Sequence, residues 1–201
     1  MELLFIGLLI ALLTTFTVKA FRTYQTFKGT IYPLVYSNFM EYYYKYAHKN
    51  NLSISRWLKH EVGHHRIVFN SYLNDDKKIL FEFMTIFHEK GVQIFSIISS
   101  KGNFRGKNND KYWQLSRNDK NFRIQNPSLG IQQYKEHLLN LIDAPIPLDI
   151  AILFSKDSIF GQLKSDYSLA HYEDYITLLK AQENSLSKEE IENYFQCCIK
   201  R

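Results

Sequence analysis

Residues 60–64 (HEVGH) match the H-E-x-x-H pattern of zinc peptidases. On an α-helix this spacing places the imidazoles of His60 and His64 on one face, where they bind zinc while Glu61 acts as the general base. Arg66, however, stands where such helices usually carry an apolar residue, and no H-x-x-G-x-x-H extension follows. Three interpretations stay open: a membrane zinc protease, a zinc site without proteolysis, and a polar helix face that presents histidines by chance. The candidates for a third ligand are Glu82, His88 and Glu89.

A basic segment over residues 101–123 carries seven basic and two acidic residues, interleaved with four aromatic ones. Cations neutralise phosphates, and exposed aromatic rings stack on unpaired bases, so the segment is predicted to bind DNA or RNA. The alternatives are contact with anionic lipid and a solvated hairpin whose aromatic rings face the core. The basic residues are Lys101, Arg105, Lys107, Lys111, Arg117, Lys120 and Arg123.

The composition of the 201 residues is that of a folded protein, with 45% apolar residues, 15% aromatic residues and few glycines or prolines. This excludes a disordered or collagen-like chain. The only cysteines, Cys197 and Cys198, are adjacent, and such a pair builds no disulfide framework, which favours a reducing compartment. The sequence contains no phosphate-binding P-loop, no dinucleotide fingerprint and no nucleophile elbow.

The N-terminal segment is uncharged from Leu3 to Val18, and Lys19, Arg22 and Lys28 follow it. Its length and flanking charges predict a transmembrane anchor over residues 1–21, with the C-terminal bulk in the cytoplasm by the positive-inside rule. A cleaved signal peptide and a buried core helix are the alternatives. The tyrosine-rich segment over residues 40–46 is expected to pack against the domain or the membrane interface.

Hydrophobic periodicity predicts a connector, five helices and several strands after the anchor. The predicted elements are an irregular connector over 22–36, helices over 37–50 and 53–73 with Ser53 as N-cap, strands over 79–87 and 92–99, a loop over 100–110, a hairpin over 111–115 and 121–125, a helix over 128–142 after Asn126-Pro127, a strand over 148–154, and helices over 170–180 and 187–199, the last with a Ser187–Glu190 capping box. The order α-β-β-β-α-β indicates an α/β domain over residues 53–201 with one mixed sheet, joined to the anchor by residues 22–52.

Several spaced motifs resemble the nuclease-related domain (NERD) family, over roughly residues 60–199 and most strongly over 91–141. The resemblance implies a restriction-endonuclease-like fold, in which helices flank a mixed sheet, and a role connected with nucleic acid. It also places Trp113 in the core. The matching features are Gly91 at the head of a strand, a G-x-φ-x-G run (φ hydrophobic) from Gly102 to Gly106, a D-x-x-W run from Asp110 to Trp113, Asn126-Pro127 at a helix start, and Gln133 four residues before His137.

The positions at which this family holds a divalent metal depart from the pattern. Residue 64, where the family carries an acid, is His64, and residues 83, 96 and 98 are Phe83, Ser96 and Ile98; Gln133 alone is kept. Without carboxylates, magnesium has no hard anionic ligands. We therefore expect a retained scaffold without nuclease activity and assign no cofactor.

Two further alternatives remain. An active nuclease could use a displaced magnesium site built from Glu82, Lys101 and Gln133, provided that the carboxylate and the lysine lie within one metal shell. A scaffold without enzymatic activity could instead use the fold to hold a protein partner, whose identity the sequence does not indicate, at the membrane.

Overall fold

The computed structural model describes residues 2–28, 30–73, 79–143, 145–183 and 185–199. The chain divides into two compact units, Met1–Trp57 and Leu58–Arg201. The second unit therefore begins at Leu58, whereas the sequence predicts a domain start at residue 53. The protein is mixed α/β, with two mixed sheets, flanking helices and an apolar N-terminal helix.

The first unit is helical. It contains α1 (Glu2–Lys28), α2 (Tyr32–Val35), α3 (Phe39–Ala47) and a 3-10 helix (Lys49–Ser53). The prediction of an irregular connector over 22–36 is wrong, because no glycine or proline interrupts the sequence between residues 8 and 28 and the helix continues. Asn38 caps α3 by accepting a hydrogen bond from the Glu41 amide at 2.9 Å.

Helix α1 is long and apolar enough to span a membrane over Phe5–Lys28. Its 24 residues extend about 36 Å, which exceeds the roughly 30 Å of a hydrocarbon core. The hydroxyls of Thr14, Thr15 and Thr17 each donate to the carbonyl four residues earlier, at 2.8 Å. These hydroxyls therefore carry no unsatisfied donor into an apolar environment.

The second unit is built around two sheets. The five-stranded sheet has the order β1-β2-β3-β7-β9 and the four-stranded sheet the order β6-β5-β4-β8. The first helix, α4 (Arg56–Val62), begins two residues before this unit. The other elements are β1 (His65–Leu73), β2 (Ile79–His88), β3 (Gly91–Ile98), β4 (Asn103–Lys107), β5 (Tyr112–Arg117), β6 (Lys120–Gln125), α5 (Pro127–Ile142), β7 (Leu148–Phe154), β8 (Ile159–Lys164), β9 (Ser168–His171), α6 (Tyr175–Lys180) and α7 (Lys188–Ile199). The predicted strands β2, β3 and β7, the β5–β6 hairpin, α5, α7 and the Ser187–Glu190 capping box are confirmed.

The helix predicted over 53–73 is wrong after Val62. Gly63 adopts a positive φ of 81° and ends α4, and the following segment pairs as β1 antiparallel to β2 from His65 opposite His88 onward. Ser53 ends the 3-10 helix instead of capping α4. The apolar residues of this segment fit both periodicities, and pairing with β2 decides in favour of the strand.

Three other predictions need correction. The loop predicted over 100–110 contains β4, and the helix predicted over 170–180 begins as β9 before α6. The sequence also predicts one sheet, whereas β4, β5, β6 and β8 form a second one. Strands β4, β8 and β9 are short, and they are stabilised by pairing with segments distant in the sequence, which the local sequence pattern does not show.

The main core lies between the five-stranded sheet and helices α5 and α7. Phe83 of β2 stacks on Tyr134 of α5 at 4.6 Å between ring centroids. Gly130 permits this close approach, because a Cβ at this position would lie 2.7 Å from the Phe81 ring. On the other face of the sheet, Phe95 makes an edge contact with Tyr175 of α6 at 5.9 Å.

A buried histidine closes this second face. His88 is fully buried, and its Nε2 donates to Gln182 Oε1 at 2.5 Å, while its Nδ1 accepts from the Lys90 amide at 3.4 Å. Gln182 in turn donates to the Val92 carbonyl and to Asp149. One ring nitrogen therefore donates and the other accepts, as in a neutral imidazole. Burial lowers the pKa of His88 to about 4.

We expect the stability of the protein to fall as the pH drops from 6.5 towards 4. A depressed folded-state pKa stabilises the fold above the unfolded value, and that stabilisation, about 3 kcal/mol, is lost on acidification. Chemical denaturation across this range measures the free energy of unfolding. His88→Gln keeps a donor for Gln182 and should flatten the curve, whereas the exposed His60→Gln control should not; equal slopes in both variants would contradict the assignment.

Candidate nucleic-acid interface

The four-stranded sheet has one buried face and one open face, because side chains alternate along each strand. Phe104, Trp113, Leu115 and Leu163 occupy the buried face. The expectation that Trp113 belongs to the core is confirmed. Gly106 lies beside this indole, and a Cβ on Gly106 would lie 2.5 Å from Trp113 Cδ1. Only a glycine therefore fits here without displacing the ring.

The open face carries a row of polar and cationic side chains that crosses all four strands. Arg105 pairs with Gln114, Gln114 with Arg123, and Arg105 on its other side with Gln162. Their side chains are exposed. Cross-strand partners point to the same face, so the register alternates guanidinium and amide groups across the sheet.

A cleft of about 570 Å³ lies over this row. Among the described residues, its lining contains five cations and one carboxylate, that of Asp110. Its cationic lining consists of Arg105, Lys107, Lys111, Arg123 and Lys164. The sequence analysis missed Lys164, which β8 brings opposite Lys107 by parallel pairing with β4. The positive charge is therefore concentrated on one face of one sheet.

The remaining basic residues of the segment lie elsewhere. Arg117 and Lys120 pair with each other at the turn of the β5–β6 hairpin, in register with the buried face. Lys101 forms an exposed ion pair with Asp157 at 2.6 Å. Four of the seven predicted cations thus line the cleft.

Exposed aromatic surface adjoins the cations. Tyr112 lines the cleft with 45% of its surface exposed, and the Lys111 ammonium lies 5.4 Å from the centroid of its ring. Phe122 is also exposed, and Phe104 and Trp113 are buried. The aromatic residues are thus divided between the core and the surface, and Tyr112 provides a face on which a base could stack.

The amide of Asn126 holds the loop that closes the cleft. Its oxygen accepts a hydrogen bond from the Ser128 amide at 2.9 Å and caps α5, which confirms the predicted helix start. Its Nδ2 donates to the carbonyls of Lys107, Asn108 and Asp110 at 3.3, 2.7 and 2.7 Å. The buried amide therefore fixes the β4–β5 loop relative to the start of α5.

The positions expected for a nuclease site are filled by neutral packing. Phe83 and Ser96 are paired across β2 and β3, and both are buried. Above Phe83, the Tyr134 hydroxyl bonds with Thr85 at 2.8 Å and with Asn70 at 3.0 Å. Burial raises the pKa of Tyr134 to about 12, so the phenol stays neutral. This cluster presents no anionic group to a metal.

The residues of the displaced magnesium site are not brought together. Glu82 points to the sheet face opposite Phe83, and burial raises the pKa of its carboxyl. Gln133 is exposed on α5, which packs against the Phe83 side, and Lys101 is paired with Asp157. The structure thus gives no shared metal shell for these three residues.

The H-E-x-x-H segment does not form the helical pair that a zinc peptidase needs, because α4 ends at Val62. The His60 side chain is 86% exposed, and His64 Nε2 lies 2.9 Å from Glu192 Oε1. A hydrogen bond from Lys180, 2.5 Å away, lowers the pKa of Glu61. Among the described residues, no group of three or more His, Cys, Asp or Glu side chains could hold a metal ion.

Comparison with known proteins gives no relative of this chain. No family model matches the sequence, and no curated protein or solved structure matches it either. The resemblance to the nuclease-related domain family therefore rests on the motifs in this sequence.

Replacing Asn126 with aspartate should destabilise the β4–β5 loop that lines the cleft. The aspartate keeps an acceptor for the Ser128 amide but removes the donor to three carbonyls, and we expect a loss of about 2 kcal/mol or more in the free energy of unfolding. Hydrogen exchange at residues 107–110 should accelerate. Asn109→Asp, which places the same charge at an exposed site in this loop, is the control. Unchanged exchange in Asn126→Asp would contradict this role.

Proposed function

We propose that the protein is a membrane-tethered nucleic-acid-binding domain that holds DNA or RNA without cleaving it. The observation that supports this proposal best is the row of Arg105, Gln114, Arg123 and Gln162 on the open face of the four-stranded sheet. Guanidinium groups form bidentate hydrogen bonds with phosphate, and amides bond to sugar or base edges. The exposed Tyr112 favours a single strand, whose bases are free to stack.

The spacing of the row suits a polyanion. Neighbouring strands lie about 4.8 Å apart, so Arg105 on β4 and Arg123 on β6, two strands away, are about 10 Å apart at the backbone. Lys107 and Lys164 continue the positive surface in the next row. A chain of phosphates can thus contact several cations at once and displace its counterions.

We further propose that the second unit has a restriction-endonuclease-like core whose nuclease site has been lost. The order of α4, the antiparallel strands β1–β3, α5, and β7 parallel to β3 supports this assignment. The replacement of the expected acids by Phe83, which stacks on Tyr134, and by the buried Ser96 supports the loss of metal-dependent hydrolysis.

Binding should depend on the open face and not on the net charge of the segment. We expect Arg105→Gln with Arg123→Gln to weaken binding of a single-stranded oligonucleotide and to reduce the slope of log K against log salt by about 1.4, because two phosphate contacts are lost. Fluorescence anisotropy with the full-length protein in detergent, over a series of salt concentrations, measures both quantities.

The matched control is Arg117→Gln with Lys120→Gln, which removes the same charge at the hairpin turn. This control should keep nearly the wild-type affinity and slope. Equal losses in the two double variants would show a nonspecific charge effect, and unchanged binding in the first would refute the open-face assignment.

We propose that α1 anchors the protein as a single span with the second unit in the cytoplasm. Glu2 precedes the apolar segment and Lys19, Arg22 and Lys28 follow it, which fits the positive-inside rule. Protease added to sealed vesicles should digest the second unit when the cytoplasmic side faces out and spare it in the opposite orientation. A mature chain that begins after Ala20 would instead support a cleaved signal peptide.

A further inference from the structure

Helix α3 runs back along the second half of α1. Phe39, at the start of α3, lies 5.2 Å from Tyr24 and 5.7 Å from Phe27 between ring centroids. One turn later, Tyr43 lies 5.9 Å from Phe16. Tyr42 lies 5.2 Å from Phe27, so the ring contacts of α3 extend along α1 from Phe27 back to Phe16. The aromatic rings hold α3 against the part of α1 that continues its apolar segment.

This arrangement determines how deep α3 lies if α1 spans a membrane, and the following inference rests on that proposed span. A hydrocarbon core takes about 20 helical residues, and the anchor proposed over residues 1–21 places its boundary near Phe21. Phe16 then lies about 7 Å inside the boundary. The Tyr43 ring, in contact with Phe16, then lies in the outer part of the hydrocarbon core, next to the interface at which tyrosine is enriched.

The exposed surface of α3 has the chemistry of this interface. Met40 and Tyr44 are 69% and 65% exposed. Tyrosine places an apolar ring in the acyl region and its hydroxyl among the headgroups. These two side chains thus have the composition expected at a lipid–water interface.

A cleft of about 500 Å³ lies between α1 and Tyr46 of α3. The lining on α1 consists of Thr14, Thr15, Val18, Lys19, Arg22, Thr23 and Thr26; the Thr14 hydroxyl is bonded to the Ile10 carbonyl. Lys19 and Arg22 lie in the middle of this stretch. From Thr14 to Arg22 the helix rises about 12 Å. The two cations thus lie on the headgroup side of Thr14, Thr15 and Val18.

The cations of this unit outnumber its acids. Residues 1–57 contain six lysines and arginines but only Glu2 and Glu41. Glu41 is already occupied, because its carboxylate lies 3.3 Å from Lys45 Nζ and accepts from the Arg56 and Ser37 amides. Within the described part of the chain, neither Lys19 nor Arg22 forms a salt bridge. Glu2 is about 25 Å from Lys19 by helical rise.

We propose that this cleft binds one anionic phospholipid, with its phosphate on Lys19 and Arg22 and an acyl chain along Val18 and Thr14. The excess of cations favours an anionic ligand, and a lining that places Lys19 and Arg22 beside Val18 and Tyr46 suits a molecule that joins a phosphate to a hydrocarbon chain. Bound lipid fills the space between α1 and Tyr46 and fixes α3 in the interface.

The test uses the full-length protein in nanodiscs made from equal parts of phosphatidylcholine and phosphatidylglycerol. Native mass spectrometry after release should show one phosphatidylglycerol retained in preference to phosphatidylcholine. Lys19→Gln with Arg22→Gln should lower this preference about thirtyfold, because two cations near the headgroup are lost. Lys28→Gln with Lys49→Gln removes the same charge at exposed sites outside the cleft and should retain the lipid.

Three results would overturn the lipid site: no preference in the wild type, equal losses in both double variants, or displacement of the lipid by free glycerol phosphate, which would assign the cleft to a soluble phosphate. Alkaline carbonate extraction separates this inference from the proposed anchor. Protein released by carbonate would refute the membrane span itself, whereas integral protein without lipid preference would refute the lipid site alone.

Discussion

The buried amide of Asn126 joins the two sheets of the larger unit. Its oxygen caps α5, which packs on the five-stranded sheet, and its nitrogen bonds to three carbonyls of the loop in the four-stranded sheet. Trp113 adds a further bond from its indole to the Lys107 carbonyl at 3.0 Å. Because these backbone groups are held from within, the cationic side chains nearby extend from a fixed loop. The shape of the cleft thus depends on a residue that no ligand would touch.

Much of the fold could be predicted from sequence where periodicity and turn residues agree, as in β2, β3, β7 and α5. Strand β1 could not, since Ile67, Val68 and Leu73 fit helical spacing and Val68 interrupts the alternation of Ile67, Phe69 and Leu73. The deciding facts are the positive φ of Gly63 and pairing with β2. Strands β8 and β9 were missed for a related reason: both depend on parallel partners far away in the sequence.

The sequence locates the candidate site in one segment of the chain, but it does not show which side chains of that segment lie on the same surface. Charge alone locates the cations of residues 101–123, but strand register decides which of them share a face. Register separates Arg105 from Arg117, and a distant partner, Asp157, pairs with Lys101. Lys164 enters the cleft through β8 and carries no local signature of binding. The H-E-x-x-H pattern indicates a zinc site only where one helix continues through both histidines, and here α4 ends at Val62, before His64.

The two faces of the four-stranded sheet differ in how freely their residues can be substituted. On one face, Gly106 and Trp113 leave little freedom for substitution, because the indole occupies the volume of a missing Cβ. On the other, Gln114 and Gln162 extend into solvent and support no packing. Substitution at these outward positions would therefore change the chemistry of the open face while the packing beneath it stays intact. The surface charge and the stability of this sheet can thus vary independently.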